Sequence, residues 1–159
     1  MQPAGEGAPA TFTLSSPSFV EGAAIPVEHT CDGADLSPAL RWDGAPAAQS
    51  FALIADDADA PGGMFTHWVL FDIPGTQREL PAGQAAGAPG IAGRNDFGKA
   101  GYGGPCPPSG VSHRYSFTLF ALDAATLGLP ANAPRRDVEA AMRGHTIGQT
   151  RLMGRYGRK

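Results

Sequence analysis

The sequence predicts a mainly β fold: an antiparallel β-sandwich with Greek-key connections and one or more short helices. Three observations predict it. Apolar residues gather into runs of strand length, Ser50-Phe-Ala-Leu-Ile-Ala-Asp56 and Tyr115-Ser-Phe-Thr-Leu-Phe-Ala-Leu122 being the clearest. Long turn-rich connections separate these runs, in keeping with 22 Gly and 15 Pro in 159 residues. Only one segment shows a clear helical period. Large aliphatic residues are sparse, which raises disorder as an alternative, but disorder on composition also calls for high net charge, and here it is −3.

Taken in order, residues 1–10 read as a flexible lead and 11–159 as a single domain. Thr11-Phe-Thr-Leu14 is a first strand. Residues 31–46 hold Asp32-Gly33, Ser37-Pro38 and Asp43-Gly44 turns around a short strand, Ala39-Leu-Arg-Trp42. Residues 50–56 form a continuous apolar run, the pattern of a strand buried on both faces. His67-Trp-Val-Leu-Phe-Asp-Ile73 is another, ended by Pro74-Gly75. Residues 74–111 are rich in Gly, Ala and Pro, and an ordered connection of that length is usually functional. A strand follows from Arg114. Asp137-Val-Glu-Ala-Ala-Met-Arg-Gly144 predicts a helix with Val138, Ala141 and Met142 on one face, Asp137 as its cap and Gly144 as its stop. Residues 146–153 predict a last strand. There is no internal repeat.

Composition removes several classes of function. Interleaved charges and a slight acidic excess lack the concentrated basic footprint of a nucleic-acid groove. Arg151, Arg155, Arg158 and Lys159 make the extreme tail basic, which reads as a solvated end. No apolar stretch approaches a membrane span, and residues 1–10 show neither the basic nor the apolar region of a signal peptide. The two cysteines, Cys31 and Cys106, are too few for a zinc cluster and too far apart for a redox C-x-x-C. Both lie in turn-rich loops, so a disulfide and a pair of free thiols are both open. A disulfide points to the periplasm or secretion, free thiols to the cytosol.

Two short blocks carry the chemistry. Asp57-Ala-Asp-Ala-Pro61 precedes His67-Trp68, and Gly103-Gly-Pro-Cys-Pro-Pro108 precedes His113-Arg-Tyr115. Residues i and i+2 of a strand share a face. His113 and Tyr115 therefore project together and Arg114 projects away, as a structural ion-pair or carbonyl donor. Asp57 and Asp59 stand side by side if the strand continues past Asp56. Gly103-Gly104 brings backbone N–H groups close to a ligand, an arrangement suited to anions. Two imidazoles and a phenol add side-chain donors, and Asp57 holds one histidine's tautomer. Trp68 reads as core, and Pro105-Cys-Pro-Pro108 as a rigid loop wall. The predicted site is thus anion-sized and has no evident nucleophile.

Two other chemistries are weaker. Gly93-Arg-Asn-Asp-Phe-Gly-Lys99 has the spacing of a nucleotide P-loop, but Ala100 stands where the magnesium-binding hydroxyl belongs and no apolar strand precedes it. The acids and histidines lack the i, i+4 spacing of helical zinc sites, and no Gly-x-Ser-x-Gly elbow supplies a nucleophile. Hydrolysis is therefore the least supported function, and neither a metal nor a cofactor is expected.

These blocks, in this order, resemble the phosphatidylethanolamine-binding protein family, in its bacterial branch often called Raf kinase inhibitor-like. Cys31-Asp-Gly-Ala-Asp-Leu-Ser-Pro-Ala-Leu-Arg-Trp42 and Arg94-Asn-Asp-Phe-Gly-Lys-Ala-Gly-Tyr102 resemble that branch too. The resemblance runs from about residue 12 to Tyr156. It implies a β-sandwich whose small surface pocket takes phosphate-like anions and head groups. The pocket aspartate then falls on Asp57, the histidines on His67 and His113, the proline wall on Pro107 and Pro108, and the tyrosine on Tyr115. Where the family usually has Pro between its two acids, this chain has Ala58, which should loosen the loop.

The expected function is a non-enzymatic, regulatory binding protein for a small anion or phosphorylated head group, with Asp57, Asp59, His67, Gly104, Pro107, Pro108, His113 and Tyr115 as binding residues. The alternative is an inhibitor that engages a protein kinase or serine protease through the pocket rim or the 83–101 loop. The resemblance also implies homodimers.

Overall fold

A computed structural model of the chain describes residues 10–83 and 89–158. Among these residues nine strands form two sheets. The larger contains β1 (Ala10–Thr11), β4 (Ser50–Asp57), β5 (Phe65–Pro74), β7 (Ile91–Ala92), β8 (Ser112–Leu122) and β9 (Thr146–Gly157), in the order β1-β9-β8-β4-β5-β7. The smaller contains β2 (Thr13–Ser15), β3 (Leu40–Asp43) and β6 (Glu79–Leu80), in the order β2-β3-β6. Every pairing between these strands is antiparallel except β1 on β9. After β5 the chain adds the short edge strand β7 beside it, and β8 then returns to lie on the far side of β4, so the site's two blocks end up on neighbouring strands.

The two sheets share one core. Leu14, Leu40, Trp42 and Leu80 of the small sheet pack with Phe51, Leu53, Trp68, Leu70, Phe117, Leu119 and Leu152 of the large one. The large sheet's other face carries a second cluster, in which Ala52, Ile54, Val69 and Phe71 meet Val138 and Met142 of the helix α1 (Arg135–Met142). Strand β4 is thus covered on both faces, which is why its sequence is continuously apolar rather than alternating. Burying its large side chains contributes on the order of 1.5–3 kcal/mol apiece. Trp68 is fully buried, as expected of a core residue.

Several predicted boundaries shift. The helix starts two residues early, at Arg135 after Pro134, so Asp137 lies in the first turn and caps nothing. Proline suits that entry, because the first amide of a helix has no partner to lose. Gly144 lies just beyond the helix with φ 84°, the left-handed turn-off that favours glycine. Strand β9 continues to Gly157; Arg151 and Arg155 of the basic tail are exposed, as expected, while Arg158 pairs with Asp32 at 3.1 Å. The 74–111 connection holds the short strands β6 and β7. No helix follows Gly93–Lys99, in line with rejection of the P-loop. The flexible lead expected over residues 1–10 lies outside the described residues, except Ala10, which pairs with Gly148. No helix among the described residues is long and apolar enough to cross a membrane.

Cys31 and Cys106 form a disulfide with Cα atoms 5.4 Å apart, joining the loop after residue 30 to the proline wall. The same two loops are tied by Cys31 N–H donating to the Pro105 carbonyl at 3.1 Å.

Candidate functional site

The site lies where β4, β5 and β8 end together. Asp57, the last residue of β4, stands opposite Tyr115 on β8, and directly opposed residues of an antiparallel pair share a face. His113 is two residues before Tyr115 and joins it on that face. His67 arrives by a different device. The β4–β5 register passes from Ala55 opposite Trp68 to Asp56 opposite Thr66, leaving His67 as the extra residue of a bulge. Thr66 and Asp56 turn to the helix side, where Arg135 bonds both, at 3.1 and 2.8 Å. His67 turns to the side of Tyr115, its ring 5.3 Å from the tyrosine's.

Each imidazole is fixed by a hydrogen bond pointing away from the ligand space. His113 Nδ1–H donates to the Asp57 carboxylate at 2.6 Å. Asp57 also accepts the Asp59 N–H at 2.8 Å, so both its oxygens are engaged. His67 Nδ1–H donates to the Gly103 carbonyl at 2.7 Å, and the Gly103 N–H returns a bond to the His67 carbonyl at 2.9 Å. A carboxylate and a carbonyl can only accept, which places the proton on Nδ1 of both rings. Nε2 is then the ring nitrogen left for the cavity.

The cavity measures about 190 Å³. That is room for a small oxyanion with several waters, at roughly 30 Å³ per water. Asp57, His67, His113 and Tyr115 line it together with Phe65, Phe97, Pro107 and Pro108. Phe97 stands edge-on to His67 and Phe65, with ring centres 5.3 and 4.8 Å away. It rides on a turn built by Asn95, whose side-chain oxygen accepts the Phe97 and Lys99 amides while its nitrogen donates to the Gly101 carbonyl. Among the described residues, neither Lys nor Arg lines the cavity.

Burial dominates the electrostatics. It pushes the His67 pKa below the ordinary 6.5, against the Gly103 carbonyl and the Asp57 charge, which favour the protonated ring. Burial also raises the Tyr115 pKa, and the adjacent Asp57 carboxylate raises it further. The phenol therefore stays protonated, and its buried hydroxyl has no hydrogen-bond partner among the described residues. An unsatisfied buried hydroxyl costs about 1–3 kcal/mol, which a ligand or a water in the cavity would relieve.

Six of the eight residues singled out in the sequence meet here: Asp57, His67, Pro107, Pro108, His113 and Tyr115. Asp59 does not. The strand ends at Asp57, and Asp59 turns outward to bind Arg114 through both carboxylate oxygens, at 2.7 and 2.9 Å. Bonding to that guanidinium holds the Asp59 carboxyl well below the usual range. Gly104 is the second correction. Its N–H donates to Asp35 at 2.8 Å and it lines a neighbouring cavity. With the Gly103 amide bonded to His67, neither glycine offers an N–H to an anion. Arg114, as expected, faces away in an ion pair. Ala60, Pro61, Phe65, Phe97 and Cys106 complete the lining, none of them expected as a binding residue. Their common signal was proximity to the two blocks, except for Phe97, which only the Asn95 turn brings in.

A family model for phosphatidylethanolamine-binding protein matches residues 15–157, and so takes in every residue that lines the cavity. The chain belongs to the phosphatidylethanolamine-binding protein family. Its relatives include a UPF0098 protein of Aquifex aeolicus, 49% identical over 94% of this chain and 90% of the relative. Two solved structures of the family share the fold. CT736 of Chlamydia trachomatis, described as a PEBP homolog, superposes with a TM-score of 0.87 at 33% identity, covering 94% of this chain and 99% of its own. YbcL of E. coli, described as a member of the mammalian PEBP family, gives 0.87 at 31% identity, covering 93% and 99%. The chain sits with this bacterial, YbcL-like branch.

Proposed function

We propose that this chain is a non-enzymatic binding protein whose cavity takes a small phosphate-like anion or a phosphorylated head group. One observation carries the proposal. The two Nδ1-tethered imidazoles and the unpartnered Tyr115 hydroxyl converge on one cavity of oxyanion size, walled by Pro107, Pro108, Phe65 and Phe97. The Cys31–Cys106 disulfide supports an oxidising compartment, the periplasm or the cell exterior, as the place of work.

Two-dimensional amide NMR with phosphate and phosphoethanolamine at pH 6, repeated on His113→Ala, tests the reading. Saturable shifts at Asp57, His67, Phe97 and Tyr115 that vanish in the variant are expected. A wild-type spectrum indifferent to both anions would retire the anion site and move the protein-interaction reading to first place.

A further inference from the structure

The Cys31–Cys106 disulfide stands where an external thiol can reach it. Both cysteines are exposed. Together they form one wall of a second cavity of about 280 Å³, lined also by Asp35, Phe97, Lys99 and Tyr102. Cys106 and Phe97 line the first cavity as well, so the crosslink lies in the partition between the two. The proline wall depends on it. Pro107 and Pro108 have no N–H to donate, and among the described residues 106–108 make no backbone hydrogen bond. Bonds resume on either side. Gly104 N–H donates to Asp35 at 2.8 Å, Cys31 N–H to the Pro105 carbonyl at 3.1 Å, and Gly110 N–H to the Arg158 carbonyl at 2.8 Å. The crosslink is therefore the tether of the three residues between, and its loss frees them without releasing their ends. One charge is placed to help that loss. The Arg158 guanidinium, fixed on Asp32 at 3.1 Å, has its other terminal nitrogen 4.0 Å from Cys106 Sγ, and a neighbouring cation stabilises a thiolate.

We propose that Cys31–Cys106 is a thiol–disulfide exchange site, opened in the folded protein by a dithiol, and that opening it releases the proline wall of the first cavity. The proposal is independent of what that cavity binds. A thiolate of the dithiol attacks Cys31 Sγ. The bond between Cys31 and Cys106 breaks, a mixed disulfide forms on Cys31, and the electron pair leaves on Cys106 Sγ, beside Arg158. The second thiolate then attacks the dithiol's own sulfur in the mixed disulfide and expels the Cys31 thiolate. The dithiol ends oxidised to a disulfide, and its two protons pass through solvent to Cys31 and Cys106. A monothiol is at a disadvantage, because Cys106, held near Cys31 by the bond to Pro105, re-attacks the mixed disulfide and reverses the first step. Exposure favours attack, and a cation beside the departing thiolate favours its leaving. The stability that the crosslink confers acts through the unfolded chain in the chain-entropy model. It raises the amount of dithiol that reduction needs, and it does not shield the sulfurs.

Reduction of the whole chain by dithiothreitol in native buffer, trapped with iodoacetamide and followed by mass spectrometry, tests the exchange. Two alkylated thiols should appear at a rate that a modest addition of urea leaves unchanged, because attack on the folded protein needs no unfolding. A rate that climbs by about fivefold or more per molar urea means attack through the unfolded chain, and overturns the proposal. Arg158→Gln should slow reduction by roughly threefold or more, and Arg158→Lys should recover most of the loss. A glutamine variant reduced as fast as the wild type would overturn the part given to Arg158. Amide NMR of the reduced protein tests the release of the wall. Shifts should be confined to the 30–36 and 103–113 segments and to Phe97 and Tyr115 of the cavity lining, with Leu53 and Ile54 of the core unmoved. Cavity residues that keep their shifts on reduction, or a reduced chain that unfolds outright, would overturn it.

Discussion

Replacing Asp57 with asparagine keeps the shape of the side chain and inverts one hydrogen bond. Today one carboxylate oxygen accepts the Asp59 N–H at 2.8 Å and the other accepts His113 Nδ1–H at 2.6 Å. In Asp57→Asn the amide oxygen can keep Asp59, and the amide nitrogen then faces His113. That nitrogen can only donate, so the ring must move its proton from Nδ1 to Nε2, into the cavity. The pair is buried, with Asp57 4% and His113 6% exposed, so solvent does not compensate for what is lost. A hydrogen bond to a charged group is worth about 1.5–3 kcal/mol. At about 2–4 °C per kcal/mol for a chain of this length, Tm should fall by roughly 3–12 °C. Phosphate affinity at pH 7.5 should nonetheless rise, because the cavity gains an N–H donor and loses a negative neighbour, and its pH dependence should flatten. Thermal unfolding gives the first quantity, long-range ¹H–¹⁵N NMR of His113 gives the tautomer, and calorimetry with inorganic phosphate gives the third. A His113 that keeps its proton on Nδ1 in a variant of unchanged Tm would refute the reasoning.

Three further outcomes follow from the same geometry. Cys31→Ser opens a crosslink between residues 75 apart in sequence, which the chain-entropy model values at about 4–5 kcal/mol, so thermal unfolding should shift far down and lose its sensitivity to reductant; an unchanged midpoint contradicts it. His67 is held below its ordinary pKa by burial, so the folded state resists its protonation: stability should be full above about pH 6.5 and decline as pH falls below it, more steeply than in His67→Gln. Urea unfolding at pH 7.5, 6.5 and 5.5 measures this, and parallel profiles for the two proteins would dismiss it. Gly104→Ala would place a methyl 2.3 Å from the His29 carbonyl and 2.4 Å from Asp35, so it should unfold at a markedly lower temperature, whereas Arg114→Ala, which removes an exposed ion pair, should barely move Tm; the reverse order would show the packing argument to be wrong.

Legibility tracked range along the chain. His113 and Tyr115 could be placed together from sequence because a strand's side chains alternate with period two whatever surrounds them. Asp57 could be paired with a histidine because a buried carboxylate next to an imidazole has few other uses. Asp59 failed on a boundary. Its position depended on whether the strand ran past Asp57, which the turn closed by the Asp59 N–H on Asp57 settles in the negative. Gly104 failed on direction, since a glycine allows close approach without saying to what, and here the neighbour is the 29–35 loop. Phe97 lay outside every periodic signal and enters through a turn that Asn95 organises.

By itself, then, the sequence determined the β class, the two blocks that carry the imidazoles, and the residues that share a face within one strand. These follow from alternation and spacing over a few residues, where backbone geometry leaves little choice. Only the tertiary structure decided that Cys31 meets Cys106, that a bulge turns His67 toward Tyr115, and that both imidazoles are tethered through Nδ1. Each of these depends on contacts between segments tens of residues apart. Such contacts are fixed by which loop closures the packed core permits, and a local pattern carries no record of that selection.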